Sequence, residues 1–252
     1  MKRIYIGLPC YNEEKDISTL LDRILKIKNE IQEKFNIDVK IFCVNDGSKD
    51  NTKAIIEERK KDGIKLINHE TNQGLGCAMR TILKEFITEG REEDCLVVMD
   101  SDNSHNPKYI LDFLNKQKNC QCDIVIASRY KDASKINGLK KYRILLSDFA
   151  RIWYTKMLKI PNVKDYTCGY RLYTFDIIKK TYEKYEKDII TQSSFACMME
   201  LLYKTSLSGA KIEEVPFVLE YDLKNGKSKM QVIKTSINSI KTTIKIKREK
   251  NK

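Results

Sequence analysis

The sequence predicts an α/β domain with a mostly parallel central sheet covered by helices on both faces. Three observations lead there. Five short apolar runs in the first 130 residues are continuous rather than alternating, as in strands buried on both sides. Between the runs, apolar residues recur at helical spacing. Polar clusters follow the runs, at what would be the carboxyl edge of a parallel sheet, where ligands bind.

RIYIGLP (residues 3–9) is the first strand, and Ile17, Leu20, Leu21, Ile24, Ile27 and Ile31 mark one helical face after it. VKIFCVN (39–45) is the second strand, followed by the turn DGSKDNT and a helix through Ala54, Ile55 and Glu58. KLIN (65–68) is a short third strand, and after the Gly74–Gly76 turn a helix runs through Met79, Ile82, Leu83 and Phe86. CLVVMD (95–100) is the fourth, with Pro107 suited to the first turn of a helix containing Ile110, Leu111 and Leu114. DIVIAS (123–128) is the fifth. Beyond it come an amphipathic helix over 140–160, a polar turn DYTCGYRLYTF leading into a short strand, and a helix over 193–209 capped by Ser193 or Ser194 and closed by Gly209. KIEEVPFVLEY is a late strand, and Pro216 places it near a sheet edge. Ile233, Ile237, Ile240 and Ile244 share a face of a lysine-rich C-terminal helix, dividing the chain into a domain over 1–229 and a basic amphipathic tail over 230–252.

A hydrophobic fraction of 41% with 33% charged residues and four prolines excludes disordered and low-complexity classes. No charge-free apolar window is long enough to span a bilayer, and the apolar run before Glu13 is too short for a secretory signal, so a cytosolic chain is expected. The eight cysteines are scattered, and Cys10, Cys43, Cys95 and Cys197 read as small buried thiols. Cys120 and Cys122 lack a second pair or nearby histidines, which argues against zinc. The net charge of +12 invites a nucleic-acid reading, yet no zinc-finger, aromatic ribonucleoprotein or glycine-loop RNA-binding signature is present. The excess is local: residues 135–160 carry +6, residues 224–252 carry +9, and the remainder sums to −3.

The strand ends carry the chemistry. The first delivers Pro9, Tyr11, Asn12 and Glu13, the second Asn45 and Asp46, the fourth Asp100 and Asp102. Two carboxylates one residue apart suit a hard divalent cation, Mg2+ or Mn2+, which takes one or two carboxylates plus substrate phosphates; such a pair also caps helices. No Gly-rich dinucleotide fingerprint follows the first strand. Arg143 and Ser147 are four residues apart, on one helical face, where a guanidinium and a hydroxyl can grip a phosphate or simply face solvent.

The segments LPCYNEEKDI, VNDGSKDNT, GLGCAMRT, VVMDSDNSHNP, ASRY, RILLSDFARIWY, DYTCGYRLY, EVPF and GKSKM, in this order from about residue 4 to 230, resemble polyprenyl-phosphate glycosyltransferases of the dolichol-phosphate mannosyltransferase type. These are inverting enzymes of glycosyltransferase family 2 with a GT-A fold. The resemblance implies that Pro9, Tyr11, Glu13, Val44 and Asp46 meet the base and ribose of a UDP- or GDP-linked sugar. It implies that Asp100, Ser101 and Asp102 form the diphosphate and metal motif, with Asp100 and Asp102 as ligands. Arg129, Arg143 and Ser147 match groups that hold the sugar-side and acceptor phosphates. LKNGKSKM matches a donor loop in which Ser228 and Lys229 agree, Leu223 replaces the usual Arg, and Lys224 or Lys227 stands near enough to substitute. Asn45 replaces an Asp, and Ser104 replaces a Gln that ligates metal in some relatives.

The expected reaction is displacement of a nucleoside diphosphate from the anomeric carbon, with a cation and basic groups neutralising the leaving group. A lipid-phosphate acceptor is already ionised near neutrality, its second pKa being about 6, and needs no base. A saccharide-hydroxyl acceptor, the enzyme alternative, would need one, for which Asp165 and then Glu200 are candidates, although either also suits a structural role. The non-enzyme alternative is a basic nucleic-acid-binding module, but a polyanion has little to attract it outside the two basic segments. Those segments suit a protein resting on anionic lipid at the cytosolic membrane face.

Overall fold

The computed structural model describes residues 1–131, 134–137, 141–225, 240–244 and 246–247, without the side chains of 135–137, 141, 143 and 144. The first half runs β1 (Arg3–Cys10), α1 (Ile17–Phe35), β2 (Asp38–Asp46), α2 (Thr52–Glu58), β3 (Ile64–His69), α3 (Leu75–Glu89), β4 (Cys95–Val98), α4 (Tyr109–Cys120) and β5 (Ile124–Ser128). The second runs β6 (Lys135–Asn137), α5 (Lys141–Leu158), β7 (Arg171–Thr174), α6 (Phe175–Tyr185), α7 (Ala196–Leu207), β8 (Ile212–Pro216) and β9 (Val218–Glu220). A seven-stranded sheet has the order β3-β2-β1-β4-β7-β5-β8, and β6 pairs with β9 in a small second sheet.

All five predicted strands are present, and four of them, β1 to β4, pair in parallel as β3-β2-β1-β4. Their faces are buried because helices lie on both sides: α1 covers one with Ile17, Leu20, Leu21, Ile24, Ile27 and Ile31, the six residues picked out by periodicity. Aromatic edge contacts tie the other side, with Tyr5 and Phe86 at 5.2 Å and Phe86 and Phe175 at 5.5 Å between ring centres. The short strand predicted after DYTCG is β7. It runs antiparallel to both β4 and β5 and separates them. Helix α6 follows, an element not predicted above: its short amphipathic sequence buries Phe175, Ile177 and Ile178 and leaves its lysines exposed.

Helix α7 begins at Ala196; Ser194 Oγ accepts from the Ala196 N–H at 3.4 Å, and the Ser194 carbonyl accepts from the Cys197 N–H at 3.0 Å. Gly209 closes the turn beyond it at φ +93°, where a side chain would be strained. β8 is the edge strand of the sheet and ends at Pro216, as the missing N–H requires. In the tail, residues 240–244 and 246–247 are helical, and Thr242, Thr243 and Ile246 are buried; Ile233 and Ile237 lie outside the described residues.

Candidate active site

The loops after β1 and β2 are laced together by side-chain to backbone hydrogen bonds. Asn12, in the left-handed region at φ 53°, donates from its N–H to Ser48 Oγ at 3.0 Å and accepts from Lys49 N–H at 2.8 Å. Glu13 N–H donates to Thr52 Oγ1 at 2.7 Å. These bonds hold Tyr11 and Glu13 just past the carboxyl end of β1, with Tyr11 half-buried and Glu13 buried.

Asp46 has a different role from the one its position suggests. Its Oδ1 accepts from Gln73 N–H at 3.0 Å and meets His69 Nδ1 at 2.8 Å, while Oδ2 accepts from Gly74 N–H at 2.8 Å and Asn72 Nδ2 at 3.0 Å. Both oxygens are thus spent on the loop over residues 72–74, and the carboxylate organises the wall of the site. Asn45 is likewise turned inward, donating to Asn68 Oδ1 at 2.6 Å. Val44 is fully enclosed in the core, so its side chain is not offered to a ligand. Correspondingly, a Cβ on Gly76 would come within 1.7 Å of the Gln192 carbonyl, so only glycine lets α3 meet the 190–195 segment.

Ser101 Oγ donates to the Pro9 carbonyl at 2.7 Å, joining the ends of β1 and β4. Asp102, buried, accepts from Ser104 Oγ at 2.6 Å and from the Lys224 ammonium. Burial pushes Asp102 toward protonation, but Lys224, with help from His105 and Ser104, outweighs it and holds the carboxyl below its ordinary range. Asp100 is raised by burial, which His105 only partly offsets and Asp102 reinforces. His105 accepts from Asp100 N–H at 3.0 Å through Nδ1, lies 3.7 Å from its carboxylate through Nε2, and stacks on Tyr170 at 5.1 Å. Among the described residues no three His, Cys, Asp or Glu side chains surround one point. Two hard carboxylates with an incomplete protein shell are nevertheless a donor set that suits Mg2+ or Mn2+, whose remaining positions go to phosphate and water. The demand for positive charge at Asp102 is visible in the lysine it has recruited.

Past β5, Arg129 and Asp165 form a two-pronged pair: Nε to Oδ2 at 2.8 Å and a terminal nitrogen to Oδ1 at 2.7 Å. Asp165, wholly buried, also accepts from the N–H groups of Arg129, Thr167 and Cys168. Burial alone would raise it; Arg129 and these amides overcome that and depress it, so Asp165 is unsuited to act as a base. Glu200 is equally committed, to Lys204 at 2.6 Å, Thr191 Oγ1 at 2.7 Å and the N–H groups of Thr191 and Gln192. The two residues considered as bases therefore hold loops in place. Arg129, placed by sequence against a phosphate, is instead occupied by this carboxylate and by Thr167 Oγ1 at 2.7 Å.

Ser147 on α5 meets Tyr130 Oη at 2.6 Å, and the guanidiniums of Arg129 and Arg151 lie 5.7 and 5.0 Å from the centre of the Tyr130 ring. Arg143 lies on α5, but its side chain, like Lys227, Ser228 and Lys229, falls outside the described part of the structure. Sequence reading missed Tyr130 and Arg151; the latter sits one turn past Ser147, so the four-residue spacing that found Arg143 could have found it too. Arg23, also missed, reaches Asn103 Oδ1 at 2.6 Å and Glu220 at 2.9 Å.

Comparison with known proteins agrees with this architecture. The glycosyl transferase family 2 profile matches residues 5–182. The chain is 25% identical over 218 residues to a polyprenol monophosphomannose synthase of Mycolicibacterium smegmatis, covering 85% of this chain and 76% of that one. It is 27% identical over 231 residues to an undecaprenyl-phosphate mannosyltransferase of Micrococcus luteus, covering 90% and 87%. Among solved structures, mannosyl-3-phosphoglycerate synthase from Rubrobacter xylanophilus superposes with a TM-score of 0.63 at 12% identity, covering 100% of this chain and 75% of that one. A mannosyltransferase from Pyrobaculum calidifontis, in complex with GDP-Man and Mn2+, does so with 0.54 at 14%, covering 86% and 56%. With the family profile spanning most of its sheet and both strand-end acidic clusters, this chain belongs to glycosyl transferase family 2 and is a glycosyltransferase of GT-A fold.

Proposed function

We propose that the protein transfers a sugar, with inversion, from a UDP- or GDP-linked donor to a polyprenyl phosphate at the cytosolic face of a membrane. The observation that carries the choice of acceptor is the engagement of Asp165 and Glu200. A sugar hydroxyl needs a carboxylate base, and both candidates are buried and fully bonded. A phosphate oxygen arrives ionised and needs none. The names of the two relatives, a polyprenol monophosphomannose synthase and an undecaprenyl-phosphate mannosyltransferase, support the same choice.

The donor would lie across the ends of β1, β2 and β4, with Tyr11 and Glu13 on the nucleoside side and Asp100 and Asp102 at the diphosphate. A divalent cation held by these two carboxylates, when bound, neutralises charge on the departing diphosphate; the Mn2+ of the Pyrobaculum relative supports that assignment. Ser147, Arg143 and Arg151 form the acceptor side, and Arg129 keeps Tyr130 and the 165–168 turn in place beside them. Lys229 is assigned to the donor.

No helix among the described residues is long and apolar enough to cross a membrane. Helix α5 instead exposes Tyr142 (52%), Leu145 (71%), Phe149 (58%) and Ile152 (48%), spaced three, four and three apart and hence on one stripe. Lys141, Arg143, Arg151 and Lys156 flank it in sequence. An apolar stripe fringed by cations matches an anionic bilayer surface, with the acceptor phosphate delivered next to Ser147.

Two results are expected. Incubation with labelled GDP- or UDP-sugars, Mg2+ and polyprenyl phosphate should give label in the solvent-extractable lipid; transfer only to oligosaccharide would overturn the acceptor assignment. Sedimentation with phosphatidylglycerol vesicles should capture the protein in a salt-sensitive manner, and the double change Leu145→Ser and Phe149→Ser should weaken capture by about tenfold or more. Undiminished capture of the double variant would remove α5 from the membrane face.

A further inference from the structure

Lys224 is one of the least exposed lysines near the cleft, its side chain 8% accessible and its ammonium on Asp102, whose own side chain is 12% accessible. The contact is built from both sides. Just before it, Glu220 N–H donates to the Ser104 carbonyl at 3.1 Å, and the Glu220 carboxylate is held by Arg23 at 2.9 Å and Asn106 Nδ2 at 3.1 Å. Just after it, Asn225 donates from its backbone N–H and from Nδ2 to Asp16 Oδ1, at 3.0 and 2.9 Å. Asp16 is wholly buried at the start of α1. Two anchors on rigid elements thus present this one ammonium to the carboxylate read above as a cation ligand.

Resting on that reading, we propose that Lys224 is an internal counter-ion that competes with the divalent cation for Asp102, so that cation and nucleotide bind as a coupled pair. An ammonium and a divalent ion cannot share one nearly buried carboxylate oxygen, and each disfavours the other by like charge. A nucleoside diphosphate brings acceptor oxygens that Lys224 can take instead, leaving Asp102 to the metal. The nucleotide therefore strengthens metal binding and, by reciprocity, the metal strengthens nucleotide binding. Without nucleotide the site is charge-balanced by its own chain and holds the cation weakly.

The test is Mn2+ binding by the full chain, followed through the electron paramagnetic resonance signal of free Mn2+, with and without UDP or GDP. Lys224→Met should bind Mn2+ about tenfold or more tightly than the wild type in the absence of nucleotide. The gain in Mn2+ affinity on adding nucleotide should shrink in the variant. Lys224→Arg, which keeps the charge, should stay near the wild type, and Asn225→Ala, which removes one of the two bonds to Asp16, should move part of the way toward Lys224→Met. Equal Mn2+ affinity in wild type and Lys224→Met, with nucleotide still raising both, overturns the role of Lys224 and leaves the transferase reading standing. No binding of Mn2+ or of either nucleotide by any variant overturns both.

Discussion

Asp102→Asn is expected to lower sugar transfer by about a hundredfold to a thousandfold, the size of effect seen when one group stabilising transition-state charge is removed from a preorganised site. The amide keeps the shape and can still accept from Ser104 Oγ, which lies 2.6 Å from Oδ1 in the native protein. What it loses is the negative charge that attracts a cation and that Lys224 now satisfies. Stabilisation by nucleotide with Mn2+ should largely disappear. Transfer within a few-fold of the native rate would rule Asp102 out as a cation or diphosphate contact.

The second large effect is on stability. Asp165→Asn should destabilise the fold by about 3–5 kcal/mol at pH 7, the cost typical of stranding one member of a buried ion pair. Arg129, whose guanidinium proton is held still more firmly beside Asp165 despite burial, would be left with an amide that cannot receive both of its prongs. The sign of the pH dependence follows from the depressed pKa of Asp165. Its contribution is complete above the unfolded value of about 3.9 and is lost as pH falls through the lower folded value. Urea midpoints of native and variant proteins should therefore differ by a constant amount from neutrality down to about pH 5 and converge below about pH 4. A difference under about 1 kcal/mol at pH 7 would mean that the pair is not the anchor its geometry indicates.

These residues show where sequence reading succeeds and where it stops. The acidic cluster after β4 was legible because strand, turn and carboxylates are neighbours in the chain, and chain proximity is what a spacing pattern records. Asp46, Asp165 and Glu200 stand at plausible ligand positions, yet each takes two or three of its hydrogen bonds from backbone N–H groups. Every residue except proline carries one, so no side-chain pattern marks the residue that will donate it. Val44 shows the same limit: an apolar residue at a strand end can line a site or fill the core, and only the enclosing helices decide. The pairing of Lys224 with Asp102 spans 122 positions, beyond any local pattern.

The same division holds for the fold. Strand and helix content through β5 was legible locally, because strands buried on both faces read as continuous apolar runs and helices as an apolar repeat of about 3.6 positions. The family resemblance, the basic helix α5 and the acidic strand ends were likewise present in the one-dimensional order of residues. Tertiary structure alone decided that β7 enters antiparallel between β4 and β5, which depends on backbone pairing between distant segments. It also decided which charges face the cleft and which neutralise one another inside. A charged side chain is the same letter in either place, and its function depends on whether water, a ligand or another part of the chain supplies its partner.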